Sequence, residues 1–384
     1  MVHPSLLLLP VLLHLLPKLN IQDEEAHQIS FYQDSSSLLP KGVFPTLDSL
    51  PPWIIAHRGS SSLHPEHTLE AYSLSAHLGA HWIEPDLVLT KDGVPVCRHD
   101  AILGETTDVA SRPEFAHRRR NLTIPILGSQ WTWKDEWAVE DFTLQELQSL
   151  RAIQRPNLGV RSDIYDGHFN IPTLEEVLVH YVKLAKLFPG QLLGIIPEIK
   201  HPAYFNQLMG HERYFEDKVL SLLDQYLDPS LHHIIIQSFY PDTLHYLQQS
   251  SGYNTLLLAN TLTWRYMTLQ GIQEVARISK YFGPMKEFLI GRGIQELLDK
   301  QSDFFPRPTP EELASLGGWV PPKDILPTLH DQGVRVVPFT ASGVHEPLGV
   351  DEAQMVQWMQ SGIDGLFCDD VSMARRGLSI ASTS

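Results

Sequence analysis

From residue 53 onward, short apolar segments of β type alternate with longer amphipathic segments that carry helix signals. This alternation is typical of α/β proteins built on a parallel sheet. The clearest helix start is the capping box Thr173-Leu174-Glu175-Glu176, which predicts a helix that runs to about residue 187. The predicted strands are Trp53–His57, Trp82–Leu89, Val94–Arg98, Leu192–Ile199, His233–Phe239, Thr255–Ala259, Val334–Phe339 and Gly365–Cys368.

Eight short strands with intervening helices in a chain of 384 residues predict a (β/α)₈ TIM barrel, with a doubly wound open sheet as the alternative. Two ranges, 101–171 and 260–325, exceed ordinary loop lengths. They predict insertions over one face of the barrel, after the third strand and late in the chain. The pair Asp92-Gly93 predicts a hairpin between the second and third strands rather than a helical crossover.

The N-terminus predicts a targeting segment. Residues 5–16 form an apolar run that is too short to cross a bilayer as a helix. We interpret residues 1–22 as a secretory signal peptide, which predicts a secreted protein without a transmembrane segment in the mature chain. A mitochondrial or an uncleaved anchor segment is the alternative. Residues 23–37 are polar, and we interpret residues 23–50 as a linker or N-terminal arm, so the barrel domain is expected over residues 51–384. The sequon at Asn121 is compatible with secretion as a glycoprotein.

Charge and cysteine content narrow the possible partners. The formal net charge of −16 argues against nucleic acid, because binding to phosphate backbones depends on clustered Lys and Arg. The two cysteines, Cys97 and Cys368, lie on strands that are not neighbours in such a barrel. We therefore predict two free, buried thiols. No pattern in the sequence indicates the oligomeric state.

Charged and titratable side chains cluster at the ends of the predicted strands, which a barrel would gather at one mouth. Glu84 and Asp86 are spaced two apart, so they project from the same face of their strand. Glu198 lies on the fourth predicted strand. Three converging carboxylates would repel one another unless a cation lay between them, and oxygen ligands suit Ca²⁺ or Mg²⁺ rather than Zn²⁺.

Basic residues and histidines complete this set. Arg58 and Lys200 supply fixed positive charge, which suits a phosphate oxyanion. His57 and His99 follow the first and third predicted strands and could act as acid and base near neutral pH. Together with the carboxylates, these residues predict metal-assisted hydrolysis of a phosphoester.

The motifs HRGSSSLHPEHTLEAY, GAHWIEPDLVLTKDGVPVCRHD, PEIKHPAYF and GIDGLFCDD occur in this order along the chain. This ordered set resembles the glycerophosphodiester phosphodiesterase family, and most closely its secreted or periplasmic bacterial-type branch. The likeness extends from about residue 53 to residue 370. It implies a TIM barrel that hydrolyses glycerophosphodiesters, small deacylated phospholipids, to sn-glycerol 3-phosphate and an alcohol.

The resemblance also implies site residues and a divalent metal, Ca²⁺ in this branch and Mg²⁺ in others. The implied metal ligands are Glu84, Asp86 and Glu198. The implied acid/base pair is His57 and His99, and the implied phosphate contacts are Arg58 and Lys200. From their position at a strand end, Gln237 and Phe239 are expected to line the substrate pocket, although Phe239 could equally belong to the core.

Other interpretations of the same residues stay open. The carboxylates could form a salt-bridge network with the basic residues, and His57 could be a structural histidine. A related barrel of the sphingomyelinase or phospholipase D type would act on intact lysolipids instead. A third possibility is a catalytically silent barrel used for binding.

Overall fold

The computed structural model describes residues 44–156, 161–300, 307–343 and 349–383. Eight positions around a parallel barrel are filled in chain order, and two of them consist of two short strands separated by a break that contains proline. The barrel strands are β1 (Trp53–His57), β2 (Trp82–Glu84) with β3 (Asp86–Leu89), β7 (Gly194–Ile195) with β8 (Glu198–Ile199), β9 (His233–Ser238), β10 (Asn254–Ala259), β11 (Tyr281–Pro284), β12 (Arg335–Val336) and β13 (Gly365–Cys368). The strands outside the barrel are β4 (Pro95–Cys97), β5 (Arg120–Ile126) and β6 (Ser129–Glu136).

The barrel closes between its seventh and last strands. The backbone N–H of Asp364 donates to the carbonyl of Val336 (2.8 Å), and that of Phe367 donates to the carbonyl of Pro338 (3.1 Å). At the other side, β13 pairs in parallel with β1. The predicted TIM-barrel class is therefore confirmed.

Two strand predictions differ from the structure. The range Val94–Arg98 contains β4, which pairs antiparallel with β3 across the predicted hairpin and is not a barrel strand. The sixth barrel strand, Tyr281–Pro284, lies inside the range 260–325 that was predicted as an insertion. Glycine and proline made this strand hard to recognise. Gly283 is needed there because a Cβ atom would lie 2.8 Å from Leu258 Cδ2.

Helices surround the barrel and end near its rims. The capping box at Thr173 is present, and the helix that it opens ends at Leu187 as predicted. The helices are α1 (Leu69–His77), α2 (Leu144–Leu147), α3 (Leu174–Leu187), α4 (Pro202–Met209), α5 (Tyr214–Tyr226), α6 (Pro241–Ser250), α7 (Leu269–Ile278), α8 (Ile294–Lys300), α9 (Pro310–Ser315), α10 (Pro322–His330), α11 (Glu352–Gln360) and α12 (Val371–Ala381). Short 3₁₀ segments are Asp108–Ser111, Pro113–Arg118, Val139–Asp141, Thr261–Met267 and Lys286–Leu289.

The described core has three clusters of buried apolar residues, one of them formed mainly by β1, β13, α11 and α12. Apolar side chains such as Val177, Leu220 and Leu257 belong to one large cluster of buried residues contributed by strands and helices. A separate cluster is built from barrel strands and includes Ile55, Leu256 and Phe367. Cys97 and Cys368 are free and buried, as predicted.

The first insertion carries a hairpin, β5 and β6, whose tight turn has positive φ at Leu127 (49°) and Gly128 (85°). The base of the hairpin is tied to the barrel through Glu140. Arg120 pairs with Glu140 at 2.7 Å, and the hydroxyl of Tyr204 on α4 donates to the same carboxylate at 2.6 Å. The insertion is thereby anchored next to the loops that follow the barrel strands.

The predicted signal peptide over 1–22 and most of the predicted arm over 23–50 lie outside the described residues. The described end of the arm contacts the barrel, because Phe44 is buried and the backbone N–H of Leu47 donates to Asp364 Oδ1 (2.8 Å). Among the helices of the described ranges, none is long and apolar enough to cross a membrane.

Candidate active site

Three carboxylates meet at the carboxyl ends of adjacent barrel strands. Glu84 ends β2, Asp86 begins β3, and Glu198 begins β8. The parallel register pairs Asp86 with Glu198. Each of the three offers an oxygen, and these oxygens lie within 4.8 Å of one another. The structure therefore brings together the three residues expected to bind a metal.

Hydrogen bonds fix the orientation of each carboxylate. Glu84 accepts from Gln237 Nε2 (2.7 Å) and from the backbone N–H of Arg58 (2.8 Å). Gln237, expected in the substrate pocket, thus lies against an expected metal ligand. Asp86 Oδ2 accepts from His67 Nε2 (2.9 Å), a residue that the sequence analysis did not single out. Lys200 Nζ lies 2.8 Å from Glu198 Oε2 and 3.2 Å from Asp86 Oδ1.

The three carboxylates share more negative charge than their surroundings balance. Burial, then repulsion from Asp86 and Glu198, holds the pKa of Glu84 well above its usual range. Burial, although opposed by Lys200, raises the pKa of Glu198 to about 8. Burial acts in the same direction on Asp86, but Lys200 and His67 outweigh it and hold that pKa well below its usual range. Burial and mutual repulsion therefore favour the protonated forms of Glu84 and Glu198, whereas a bound cation would favour their ionised forms.

The donor set fits a hard divalent cation. Asp86 Oδ1 and Gln237 Oε1 are buried and accept no hydrogen bond from the described residues, although the Lys200 ammonium lies 3.2 Å from Asp86 Oδ1. Three carboxylates within 4.8 Å provide the oxygen ligands that Ca²⁺ and Mg²⁺ take in proteins. A cation would also relieve the repulsion that raises the pKa of Glu84.

His57 is held by a carboxylate that directly follows the last barrel strand. Its Nδ1 donates to Asp369 Oδ1 (2.7 Å), and its Nε2 accepts from Arg58 Nε (3.2 Å). These partners assign the hydrogen to Nδ1 and leave Nε2 as the nitrogen that can take a proton once Arg58 Nε releases it. Burial and the Arg58 guanidinium lower the pKa of His57 and outweigh Asp369, so the imidazole is neutral at neutral pH.

His99 has a similar arrangement. Its Nδ1 donates to Asp100 Oδ1 (2.8 Å). Burial, with the charges of Arg58 and Lys200, lowers the pKa of His99 to about 4. The His99 side chain is 32% exposed, against 17% for His57. Both histidines thus present a neutral imidazole whose Nδ1 is hydrogen-bonded to an aspartate.

The remaining expected contacts lie at the same mouth. The Arg58 guanidinium donates to both oxygens of Glu66 (3.2 Å each) and its Nε lies 3.5 Å from Asp86 Oδ2. Phe239 is half-buried and packs edge to face with Phe339, with ring centroids 5.9 Å apart. Arg58 and Lys200 therefore border the carboxylates, whereas Phe239 forms an apolar part of the rim.

Several residues of this site were not predicted from the sequence. Glu66 and His67 lie in the motif HPEHT, where the dense polar run after the first strand was the available signal. Asp100 directly follows His99. Arg155 and Arg161, which contact Asp100 and Asp369, come from the first insertion and carry no local signal.

The arrangement combines an oxygen-lined cation site, two neutral imidazoles and two permanent positive charges. Such a set can neutralise a phosphodiester, remove a proton from a nucleophile and return one to a leaving alcohol. It is the chemistry of substitution at phosphorus.

Comparisons with known proteins agree with this chemistry. The model of the glycerophosphoryl diester phosphodiesterase family matches residues 57–373. A glycerophosphodiester phosphodiesterase of Arabidopsis thaliana is 32% identical over 338 residues, which cover 83% of each chain. One of Haemophilus influenzae is 34% identical over 166 residues, 40% of this chain and 41% of that protein. The solved structure of an Oleispira antarctica phosphodiesterase, in complex with the product sn-glycerol-3-phosphate, superposes with a TM-score of 0.56 at 18% identity and covers 86% of this chain and 97% of that one.

Proposed function

This chain belongs to the glycerophosphoryl diester phosphodiesterase family, and on that premise we propose that it hydrolyses glycerophosphodiesters to sn-glycerol 3-phosphate and an alcohol in glycerol and phospholipid metabolism. The observation that carries the proposal is the convergence of Glu84, Asp86 and Glu198 within 4.8 Å. The product held by the Oleispira antarctica relative supports the substrate class.

A divalent cation would be held by Glu84, Asp86 and Glu198, with Ca²⁺ favoured over Mg²⁺. When bound, the cation supplies positive charge that polarises the phosphoryl group. Gln237 and His67 keep Glu84 and Asp86 turned toward that position through hydrogen bonds of 2.7 and 2.9 Å. These partners act by orientation and do not themselves need to contact substrate.

Proton transfer is assigned to His57 and His99. A neutral imidazole with Nδ1–H bound to an aspartate has a basic Nε2 that can take a proton from the nucleophile. The second imidazole returns a proton to the leaving alkoxide, which is too basic to depart unaided near neutral pH. An arriving anionic diester favours the protonated form of that imidazole, because it brings negative charge next to it.

Arg58 and Lys200 would contact the phosphate oxygens. Both carry permanent positive charge at the mouth, and both are anchored by carboxylates, Arg58 by Glu66 and Lys200 by Glu198. Anchored charges need little reorganisation as negative charge develops on the phosphoryl oxygens.

A substrate panel tests the proposal. Release of glycerol 3-phosphate is measured with glycerophosphocholine and, in parallel, product release with lysophosphatidylcholine, before and after chelation. We expect turnover of glycerophosphocholine that chelation abolishes and added Ca²⁺ restores. Turnover of the lysolipid alone would establish the sphingomyelinase-like alternative, and none with either substrate would establish a binding barrel.

We also propose that the protein enters the secretory pathway, on the basis of the apolar run at residues 5–16 and the sequon at Asn121. The full chain, produced in a eukaryotic cell, should reach the medium and lose mass on glycosidase treatment. The variant Asn121→Gln should reach the medium without that change in mass. Retention of the full chain in the cell would contradict secretion.

A further inference from the structure

His57 and His99 are each hydrogen-bonded to their own aspartate, and the likeness between the two sites goes further. Each aspartate is in turn held by an arginine, and the two arginines are only six positions apart in the first insertion. We propose that Arg155 and Arg161 are positioning residues, which fix the aspartates and, through them, the imidazoles of His99 and His57. The inference rests on the acid/base roles of the proposed function and adds a source for their orientation.

At His57 the chain of contacts uses the two oxygens of Asp369 separately. Oδ1 accepts from His57 Nδ1 (2.7 Å) and from the Ser61 hydroxyl (3.0 Å), while Oδ2 accepts from Arg161 Nη2 (2.9 Å). Arg161 Nη1 also donates to the Ser61 carbonyl (3.0 Å). The carboxylate is therefore fixed from both sides.

At His99 the same division recurs. Asp100 Oδ1 accepts from His99 Nδ1 (2.8 Å), and Oδ2 accepts from Arg155 Nη2 (2.8 Å). Arg155 is itself held by Glu66 at 2.8 Å and by Glu105 at 2.7 Å. Because Glu66 also binds Arg58, the network extends to a proposed phosphate contact.

The division of oxygens has a physical consequence. A carboxylate that is bound only to an imidazole can rotate and exchange its oxygens, and the imidazole then loses a fixed direction. An arginine on Oδ2 removes this freedom and leaves Oδ1 for Nδ1, which keeps Nε2 as the basic nitrogen. The arginine also balances the aspartate charge, which the neutral imidazole cannot do. Asp369 and Arg161 need this balance most, since their side chains are only 4% and 5% exposed.

A purely structural role is the competing explanation, in which the ion pairs only anchor the insertion on the barrel. The two explanations predict different readouts. A structural pair affects the melting temperature, whereas a positioning pair affects kcat and the tautomer of the imidazole while KM and cation affinity change little.

The test compares Arg161→Met and Arg155→Met with the wild type in the presence of Ca²⁺. We expect kcat for glycerophosphocholine to fall about 10–100-fold in each variant, with KM and the Ca²⁺ dissociation constant changed less than about threefold. Nitrogen-15 shifts of the histidines should show loss of the uniform Nδ1–H form. Arg161→Lys should recover part of kcat.

Arg112→Met is the matched control. Arg112 pairs with Asp108 at 2.8 Å in the same insertion, away from both histidines, and its variant should retain wild-type kcat.

A double-variant cycle keeps the test decisive if a single variant folds poorly. If Arg161 acts through Asp369, then Arg161→Met should cost little further kcat in an Asp369→Asn background, and the double variant leaves neither buried charge without its partner. Additive losses, or unchanged kcat in both arginine variants, would overturn the proposal. Failure of the proposed function itself would look different, since the wild type would then show no cation-dependent turnover of glycerophosphocholine.

Discussion

The cation side and the histidine side of the mouth are built by different means. The carboxylates lie on adjacent parallel strands, where the backbone ladder places Asp86 level with Glu198 and Glu198 level with Gln237. The groups that hold the histidines come from loops, from the last strand and from an insertion. Asp100 is a sequence neighbour of His99, whereas Asp369 lies 312 positions from His57.

This difference separates two requirements of the reaction. Ligands of one cation must lie within a few tenths of an ångström of ideal distances, and a strand register places the residues that carry them with such precision. The two imidazoles need a defined tautomer and neighbouring charges that balance one another, and carboxylates and arginines on loops can provide both. Changes on the cation side should therefore abolish binding, while changes on the histidine side should reduce turnover in graded steps.

The largest effect is expected from Glu84→Gln. Burial and neighbouring carboxylates raise the pKa of Glu84, and the amide keeps the shape of this side chain while it removes the negative charge that would bind a cation. We expect kcat to fall by about 10⁴-fold or more and stabilisation by Ca²⁺ to disappear. The melting temperature of the cation-free protein should change little.

Initial rates and thermal melts with and without Ca²⁺ check this outcome. Glu274→Gln is the control, since Glu274 pairs with Arg265 at the exposed surface outside the mouth. A Glu84→Gln variant that still gains stability from Ca²⁺ would place the cation elsewhere.

The next largest effect concerns the imidazoles. His57→Ala and His99→Ala should each lower kcat by about 10²–10⁴-fold, the usual size of an acid/base contribution. Calorimetry should find the Ca²⁺ affinity of both variants close to that of the wild type. Near-normal turnover of either variant would reduce that histidine to a positioning role.

A graded difference should separate the two aspartates. The Asp369 side chain is 4% exposed and that of Asp100 is 18% exposed, so Asp369→Asn leaves a more deeply buried arginine without its partner. We expect a loss of kcat of about 10–100-fold in both variants. The loss in free energy of unfolding should be about 3 kcal/mol for Asp369→Asn and smaller for Asp100→Asn. Denaturant titration measures this difference, and equal losses would show that burial does not distinguish the pairs.

Acidification should weaken cation binding. The pKa of Glu198 is raised to about 8, so the cation-free protein keeps this proton below about pH 8 and must release it on binding. Ca²⁺ affinity should therefore increase by up to about tenfold per pH unit between pH 6 and 8. The same raised pKa of Glu198 should lower the free energy of unfolding of the cation-free protein as pH rises from 6 to 8, because this carboxyl has already lost its proton in the unfolded state. Calorimetry in buffers of different ionisation enthalpy counts the released proton, and a pH-independent affinity would contradict the prediction.

The smallest effect should come from the anchor of the insertion. Tyr204→Phe removes the hydrogen bond from α4 to Glu140 (2.6 Å), at a cost of about 1 kcal/mol in the free energy of unfolding. Hydrogen exchange should quicken in the hairpin over residues 120–136, while kcat stays within about twofold of the wild type. A large loss of kcat would show that hairpin placement controls the chemistry.

The sequence predicted the strand-borne half of the site better than the loop-borne half. Glu84 and Asp86 could be placed on one face because the period of a strand is two. The spacing could not show that Gln237 bonds to Glu84, since that depends on register across several strands. The chain has 29 Lys and Arg residues, and no motif around Arg155 or Arg161 distinguishes these two as partners of remote aspartates. The strand Tyr281–Pro284 was not predicted because it contains Gly283, a residue with low strand propensity. Its lack of a side chain allows close packing against Leu258.

The contact between His57 and Asp369 joins the first and last strands of the barrel, which has a consequence for biosynthesis. At about 5–20 residues per second, the ribosome delivers Asp369 roughly 15–60 s after His57. From the synthesis of Glu198 onward, the nascent chain contains every proposed cation ligand but not the carboxylate that holds its first histidine. We therefore expect full activity only when translation is nearly complete, and a ribosome-bound chain stalled before β13 should bind Ca²⁺ better than it hydrolyses substrate.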